Sequence, residues 1–232
     1  MTSFDNLPFY GGTPDNMVGL DVEIAKKVAK MLDVRVEFRR DAKSFGEVVD
    51  QVKNGDAHIG LSKLSITAPR ANVVRFSTPY AKLKQAMVVN RVWLSANGRG
   101  RETYEVIKSF DGSISFIKNS SYDTFARSNF PKATYVPEEN WTNIVNGVMS
   151  GKYAAGFRDD LEIKKIALEM PQASLTTKTV IIADTNDYIA AAVDWKATHL
   201  LSIVDMVIKN EYNDIDVKKL IEMYKSMKRN VR

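Results

Sequence analysis

The sequence predicts an α/β protein with two lobes, each a mostly parallel sheet flanked by helices. Helical and strand patterns alternate along the chain, which favours parallel strands joined by helices. The 232 residues with 44 % hydrophobic content suffice for two cores of about 100 residues each. A polar, glycine-bearing stretch, residues 91–104, interrupts the alternation and predicts a loop between the lobes. We therefore expect residues 1–90 and 187–232 to form lobe 1 and residues 91–186 to form lobe 2, with a ligand cleft between them.

The elements of lobe 1 follow from hydrophobic spacing. Residues 21–32 (DVEIAKKVAKML) carry apolar side chains at helical intervals, and residues 34–39 (VRVEFR) then alternate as a strand does. Residues 45–53 repeat the helical pattern and stop at Gly55, a common helix-ending residue. Residues 57–66 (AHIGLSKLSI) indicate a short buried strand and a loop.

The elements of lobe 2 alternate in the same way, and the chain then returns. The predicted order is strand, helix, strand, helix, strand, for residues 113–119, 120–130, 133–137, 140–152 and 154–160. Residues 179–193 are predicted to be extended, and two amphipathic helices, residues 199–212 and 216–229, to cover lobe 1. The two chain segments that cross between the lobes would form a hinge.

Composition excludes several classes of function. The net charge of +5 comes from 33 basic and 28 acidic residues spread along the chain, so we expect no nucleic acid partner. The absence of cysteine excludes disulfides, thiolate metal sites and cysteine nucleophiles. We expect no metal and no cofactor, and structural roles for His58, in a buried strand, and His199, in a terminal helix. An N-terminal secretory signal is not visible, so an exported protein would have lost it.

One segment is distinctive. Residues 56–80, DAHIGLSKLSITAPRANVVRFSTPY, closely resemble the most recognisable stretch of the type II periplasmic amino-acid-binding proteins, which serve ABC transporters and related sensor domains. LPFYGG with GLDVEIAKKVAKML, FIKNSSYDTF and GKYAAGFRDD resemble further segments of the same family. The resemblance implies the type II periplasmic-binding-protein fold, an extracytoplasmic location, a monomer, an amino-acid-like ligand, and a membrane permease or a sensor module as partner.

Within the SITAPR segment, Arg70 is the predicted carboxylate-binding residue. An amino-acid ligand needs a planar cation for its carboxylate, and the guanidinium fork binds both carboxylate oxygens. The resemblance implies that Ser65 and Thr67 complete the contacts to the ligand, with Ser62 in a similar role.

Aromatic side chains are expected to form one wall of the pocket, since they cover an apolar ligand stem and can face an ammonium group. Phe9, Tyr10 and Phe45 are the candidates, and Phe45 could equally belong to the core. Lys63 stands where many family members have a small residue. If Lys63 points into the cleft, it favours an acidic ligand; if it points outward, it has no bearing on the ligand.

Lobe 2 offers a second set of residues. Ser120 and Ser121 open a helix directly after a strand, where free N–H groups favour an anion, although a serine there is also a plain helix cap. Asn119 replaces the usual glycine of the family and tolerates the same left-handed turn. The resemblance implies that Asp159 binds the ligand ammonium. If the alignment with the family shifts by one residue, Asp160 takes that role. A further alternative is that one of the two caps the next helix while the other binds the ligand.

The mechanism that these residues imply is closure of the two lobes on the ligand, with no chemistry performed. The strongest alternative is an enzyme on the same fold, a cyclic-acid dehydratase or a lytic-transglycosylase-like protein, which would need a general acid or base in the cleft. An amino-acid-sensing domain of a larger receptor is a further alternative. Because the family's usual first strand is missing before LPFYGG, we expect a trimmed chain or a portion of a longer receptor.

Overall fold

The computed structural model describes residues 1–212 and 215–230; the other four positions, all in predicted lobe 1, lie outside the described residues. The helices are α1 (Leu20–Met31), α2 (Phe45–Lys53), α3 (Ala68–Ala71), α4 (Arg91–Gly98), α5 (Thr103–Lys108), α6 (Ser121–Asn129), α7 (Trp141–Met149), α8 (Asp160–Glu169), α9 (Ala173–Thr176), α10 (Thr198–Glu211) and α11 (Val217–Asn230). The strands are β1 (Gly11–Thr13), β2 (Asn16–Val18), β3 (Ile59–Gly60), β4 (Arg75–Phe76), β5 (Ala81–Leu83), β6 (Gln85–Asn90), β7 (Ser113–Ile117), β8 (Thr134–Glu138), β9 (Ala155–Asp159), β10 (Thr177–Ile181), β11 (Asp187–Ile189) and β12 (Ala192–Val193).

The chain divides into two compact units. Unit 1 comprises residues 1–83 and 187–232, and unit 2 comprises residues 84–186. The division after Leu83 differs from the predicted division after Asn90, because β6 lies in the middle of the sheet of unit 2.

The stretch predicted as a loop, residues 91–104, is largely helical. Asn90 caps α4 by accepting a hydrogen bond from the Trp93 N–H at 2.9 Å, and the helix ends where Arg99 adopts a left-handed conformation, with φ 44°. A favourable N-cap therefore offsets the weak helix preference of this polar sequence.

Unit 1 is built from short antiparallel ladders and covering helices. β12 lies between β3 and β4, β5 pairs with β11, and β1 pairs with β2. Each of these pairs is antiparallel, which corrects the expectation of a mostly parallel sheet for this unit. Helix α10 packs on α1, as the prediction that the C-terminal helices cover lobe 1 requires.

The predicted strand at residues 34–39 has no regular secondary structure and belongs to no ladder of the described residues. Val34 and Val36 are 58 % and 38 % exposed. A segment with alternating apolar residues joins a sheet only where a second strand lies beside it to exchange backbone hydrogen bonds. Among the described residues, no strand pairs with this segment.

Unit 2 has one five-stranded sheet in the order β10-β6-β9-β7-β8. β7 runs parallel to β8 and β9, whereas β6 runs antiparallel to β9 and β10, so the sheet is mixed where mostly parallel strands were expected. β6 is buried along its whole length, and its side chains alternate between two cores. Met87 and Val89 join the core under α4, α5 and α6, while Ala86 and Val88 join the core under α7 and α8. Helices thus cover both faces of this sheet, as predicted.

In the described part of the chain, none of the helices has both the length and the apolar content that a membrane crossing requires.

Candidate functional site

The predicted binding residues of unit 1 lie in one segment, residues 62–70, which we call the ligand loop. It runs from just after β3 into α3, and Ser62, Lys63, Ser65 and Thr67 are all buried there. An isolated bridge between Ser65 and Ile189 fixes the middle of the loop to β11. The bridge to β11 therefore fixes the backbone of a loop in which several polar groups lie within a few residues.

Arg70 is half-buried in α3, and its Nη1 donates a hydrogen bond to the Ser65 carbonyl at 3.0 Å. Burial lowers the pKa of the guanidinium to about 10, against the attraction of the nearby Asp187 carboxylate, which raises it. Arg70 therefore stays cationic at neutral pH, in surroundings that screen its charge poorly. A planar cation in such surroundings binds a carboxylate more strongly than a fully solvated one does.

The hydroxyl groups of the loop differ in what they contact. The Ser62 Oγ accepts a hydrogen bond from the Thr2 N–H at 3.1 Å, which makes Ser62 partly structural. Thr67 occupies the cap position of α3, but its hydroxyl makes no capping hydrogen bond to that helix.

Lys63 adopts a left-handed backbone conformation, with φ 50°. Its N–H donates to the Asp21 Oδ2 at 2.8 Å, and its Nζ lies 5.3 Å from the centroid of the Phe9 ring. The side chain is only 5 % exposed, so the ammonium group lies against an aromatic face inside the protein.

The three predicted aromatic residues are all buried. Phe9 lies between Lys63 and Tyr80, whose ring centroid is 6.4 Å away. The Tyr10 hydroxyl is 2.6 Å from the Thr2 hydroxyl, and burial raises the pKa of Tyr10 to about 12. Phe45 begins α2 and is buried, and it packs edge-on at 5.6 Å against Phe4, which is exposed. Phe9, through Lys63, and Tyr10, through a side-chain hydrogen bond with Ser62, are thus the predicted aromatic residues that the structure brings to the ligand loop.

In unit 2, the predicted serines lie at the start of α6. Ser120 is the N-cap, and its Oγ accepts a hydrogen bond from the Tyr122 N–H at 3.3 Å. Ser121 is the first helical residue and is buried. Asn119 has φ 57°, the left-handed turn that was expected of it in place of glycine. Backbone N–H groups of a strand-to-helix turn of this kind favour anions.

Asp159 and Asp160 are both buried and make different contacts. Asp159 caps α8 by accepting from the Glu162 N–H at 3.1 Å, and its Oδ2 lies 3.8 Å from the Arg158 Nε. Asp160 accepts from the Lys84 N–H at 3.1 Å and from the Lys164 Nζ at 3.3 Å, through its two oxygens. Asp160 therefore holds together parts of unit 2.

Several residues at these sites were not predicted. Asp21 and Tyr80 lie behind the ligand loop, and the Arg158 guanidinium lies 5.5 Å from the Trp141 ring beside Asp159. No specific signal in the sequence pointed to Asp21, because acidic residues are common in the first turn of a helix and Glu23 stands in the same turn. His199 lies in α10, the predicted terminal helix, but is exposed there, and His58 is exposed just before β3 and not inside a buried strand, so the structural roles expected of both are not supported.

The chain was compared with known proteins. It is similar to the ABC transporter arginine-binding protein 1 of Escherichia coli, with 21 % identity over 170 residues, which cover 73 % of this chain and 65 % of that protein. It is also similar to the membrane-bound lytic murein transglycosylase F of Saccharophagus degradans, with 30 % identity over 115 residues, 49 % of this chain and 21 % of that protein. The chain thus spans less than two thirds of the length of these curated relatives.

Solved structures share the fold. An amino acid ABC transporter substrate-binding protein of Streptococcus pneumoniae, bound to L-arginine, has a TM-score of 0.70 at 23 % identity, with 94 % of this chain and 90 % of that chain covered. An ancestral amino acid-binding protein, a precursor of cyclohexadienyl dehydratase, has a TM-score of 0.69 at 23 % identity, with 96 % and 91 % covered. The predicted two-lobed α/β fold is confirmed. The family model for bacterial extracellular solute-binding proteins, family 3, matches residues 2–227, and the chain belongs to that family.

Proposed function

We propose that this protein binds a small amino-acid-like ligand outside the cytoplasm and presents it to the permease of a transporter, without catalysing a reaction. The observation that carries the proposal is the half-buried Arg70, held by the Ser65 carbonyl, in a loop rich in hydroxyl groups. Membership of the solute-binding family supports it, and so does the naming of relatives as amino-acid-binding components of ABC transporters. We propose that the protein acts as a monomer.

In this proposal Arg70 binds the ligand carboxylate. One N–H of its guanidinium is held by the Ser65 carbonyl, which fixes the orientation of the fork. Guanidinium has five N–H donors, so this bond leaves a face that can bind two carboxylate oxygens. Ser65 and Thr67 add polar groups beside that face.

Unit 2 supplies the other contacts in this proposal. The start of α6, with Ser120 and Ser121, suits the carboxylate, and the Asp159 carboxylate suits the ammonium group. The chain crosses between the units after Leu83 and before Asp187, and two such crossings are what a hinge needs. Ligand binding would then favour a closed state, which a permease can distinguish from the open one.

The two neighbouring aspartates give a matched pair of variants. We expect Asp159→Asn to weaken ligand binding by roughly tenfold or more, because the ammonium loses a charged acceptor. We expect Asp160→Asn to lower the melting temperature with little change in affinity, because its bonds to Lys84 and Lys164 are internal to unit 2. Calorimetric titration and thermal unfolding of both variants distinguish the roles. If both variants lose affinity equally, the prediction that Asp159 alone contacts the ammonium group is wrong.

Lys63 is expected to set the preference for the ligand side chain. The buried Lys63 ammonium and the half-buried Arg70 guanidinium place two cations on one loop, which disfavours a cationic ligand side chain and favours an acidic one. We predict that Lys63→Gln shifts the affinity ratio of glutamate to arginine by roughly tenfold toward arginine. Competition binding with these two amino acids measures the ratio.

Lys63→Gly is the second variant in this test. Glycine adopts the left-handed conformation without strain, so the variant separates loss of the side chain from strain in the loop. If neither variant changes the ratio, Lys63 does not face the ligand and the preference is set elsewhere.

A further inference from the structure

Behind the ligand loop lies a fully buried carboxylate that no binding role requires. Asp21, in the first turn of α1, accepts from the Lys63 N–H at 2.8 Å through Oδ2 and from the Tyr80 hydroxyl at 2.6 Å through Oδ1. Its own N–H donates to the Phe9 carbonyl at 2.8 Å. One residue thus connects α1 to the ligand loop, to the Phe9 segment and to the segment before β5.

The hydrogen bond from the Lys63 N–H to Asp21 lies at a residue with an unfavourable backbone conformation. Lys63 has φ 50°, a left-handed conformation that lysine disfavours because its Cβ crowds the backbone. A hydrogen bond to an ionised acceptor is about twice as strong as a neutral one, so the Asp21 carboxylate can hold this conformation. Ser62 precedes Lys63 directly and Ser65 follows two residues later, so a change at Lys63 alters the backbone between these two hydroxyl groups.

The residue before α1 allows the helix to approach the Phe9 segment closely. Gly19, which precedes α1, has φ 122°, and a Cβ added there would lie 2.3 Å from the Phe9 carbonyl oxygen. Only glycine lets the backbone of α1 approach the Phe9 segment this closely. This approach places Asp21 under both Phe9 and Lys63.

We propose that Asp21 is a positioning residue for ligand binding: its carboxylate holds the Lys63 N–H and thereby fixes the ligand loop in its binding conformation. This inference rests on the proposed function. Asp21 itself does not contact the ligand. Its effect reaches the ligand through Lys63 and the hydroxyl groups of the loop.

The contact makes ligand affinity depend on pH. Burial raises the pKa of Asp21 to about 7, while the hydrogen bonds from Tyr80 and the Lys63 N–H lower it, as do the charges of the Met1 ammonium and the Lys63 ammonium. Tyr10 also faces this group, and like Tyr80 it is neutral near pH 7, because its own pKa is raised. Protonation of Asp21 therefore replaces an ionised acceptor with a neutral one under the ligand loop.

Three variants of the whole chain test the proposal. Asp21→Ala removes the acceptor, Asp21→Asn keeps a neutral acceptor for Lys63 and cannot titrate, and Tyr80→Phe removes the other bond to the carboxylate while leaving Lys63 in place. We expect Asp21→Ala to weaken ligand binding by roughly tenfold at about pH 8, from loss of a charged hydrogen bond. We expect Asp21→Asn to bind with an affinity that is nearly constant between about pH 6 and 8, where the wild type weakens on acidification.

Tyr80→Phe is the matched control, because a merely structural carboxylate and a positioning one respond to it differently. The variant loses stability but retains the Lys63 contact, so its affinity should match that of the wild type at a pH well above both midpoints, where Asp21 is fully ionised in each protein. Because the Tyr80 bond lowers the pKa of Asp21, the midpoint of the affinity profile should move to higher pH. A midpoint that does not move, or an Asp21→Ala protein with wild-type affinity, overturns the proposal.

Hydrogen exchange of the Lys63 amide separates this proposal from the proposed function, since it needs no ligand. In the ligand-free protein we expect Asp21→Ala to speed exchange of that amide by roughly tenfold relative to amides in α10, with little change in Tyr80→Phe. Unchanged protection of Lys63 in Asp21→Ala overturns the positioning role. If the wild type binds no amino acid while the Lys63 amide responds as expected, the proposed function fails and the control of the loop by Asp21 stands.

Discussion

Replacing Arg70 with alanine is expected to abolish detectable binding of the amino-acid ligand. In the proposed site the guanidinium would form a bidentate pair with the ligand carboxylate, in surroundings where burial lowers the pKa of the guanidinium to about 10. Loss of one partner of a buried charge pair costs roughly 2–5 kcal/mol of binding free energy, which corresponds to a hundredfold loss or more. Isothermal titration calorimetry of the wild type and the variant measures this difference.

Arg70→Lys is the informative control for that experiment. Lysine keeps the charge but lacks the planar fork, so we expect an affinity between those of the wild type and Arg70→Ala. Because Arg70 also bonds to the Ser65 carbonyl, thermal unfolding must show that both variants remain folded. Wild-type affinity in folded Arg70→Ala would remove Arg70 from the ligand site.

The second large effect concerns stability and pH at Asp21. Burial raises the pKa of this carboxyl from 3.8 to about 7, so the folded protein holds the proton more tightly than the unfolded chain does. Its stabilising contribution is therefore fully present below about pH 4 and is lost as the pH rises to about 7. Relative to Asp21→Asn, the wild type should lose on the order of 4 kcal/mol of unfolding free energy across this range.

Urea unfolding of both proteins between about pH 4 and 8 measures that difference. The Met1 ammonium also titrates here, because burial lowers its pKa to about 6, but it does so in both proteins. The difference between the two curves therefore isolates Asp21 to a first approximation. Parallel curves would mean that the Asp21 carboxyl titrates near its ordinary pKa.

Local sequence signals predicted most helices. The helix predicted from residue 45 forms as α2, because Ser44 caps it and Phe45, Val48, Val49 and Val52 face inward at helical spacing. All six residues of β6 are buried, and helices cover both faces of its sheet, as the alternation of helices and strands predicted. These elements are determined by contacts close in the sequence or by simple periodicity.

The errors arose where structure depends on distant partners. Residues 34–39 alternate like a strand, but no neighbour completes a ladder with them in the described parts of the chain. Strand direction in unit 2 was also mispredicted, because β10 returns beside β6 in the antiparallel sense, a choice set by chain connectivity. The cap from Asn90 turned a polar stretch into α4.

Among the site residues, too, those determined by local sequence were predicted and those determined by distant contacts were not. The ligand loop could be predicted as a unit because its residues are contiguous and resemble a known pattern. Asp21 could not, because its two side-chain partners are 42 and 59 residues away in the sequence. Nor could the sequence assign the cap of α8 to Asp159, since both neighbouring aspartates are suitable N-caps.

The most direct test of the central claim is a calorimetric titration of the purified protein with the common amino acids, followed by the same titration of Arg70→Ala. We expect the wild type to bind at least one amino acid saturably, with glutamate or aspartate bound more tightly than arginine. We expect Arg70→Ala to bind no amino acid detectably. Absence of binding for every amino acid, or undiminished binding by Arg70→Ala, would contradict it.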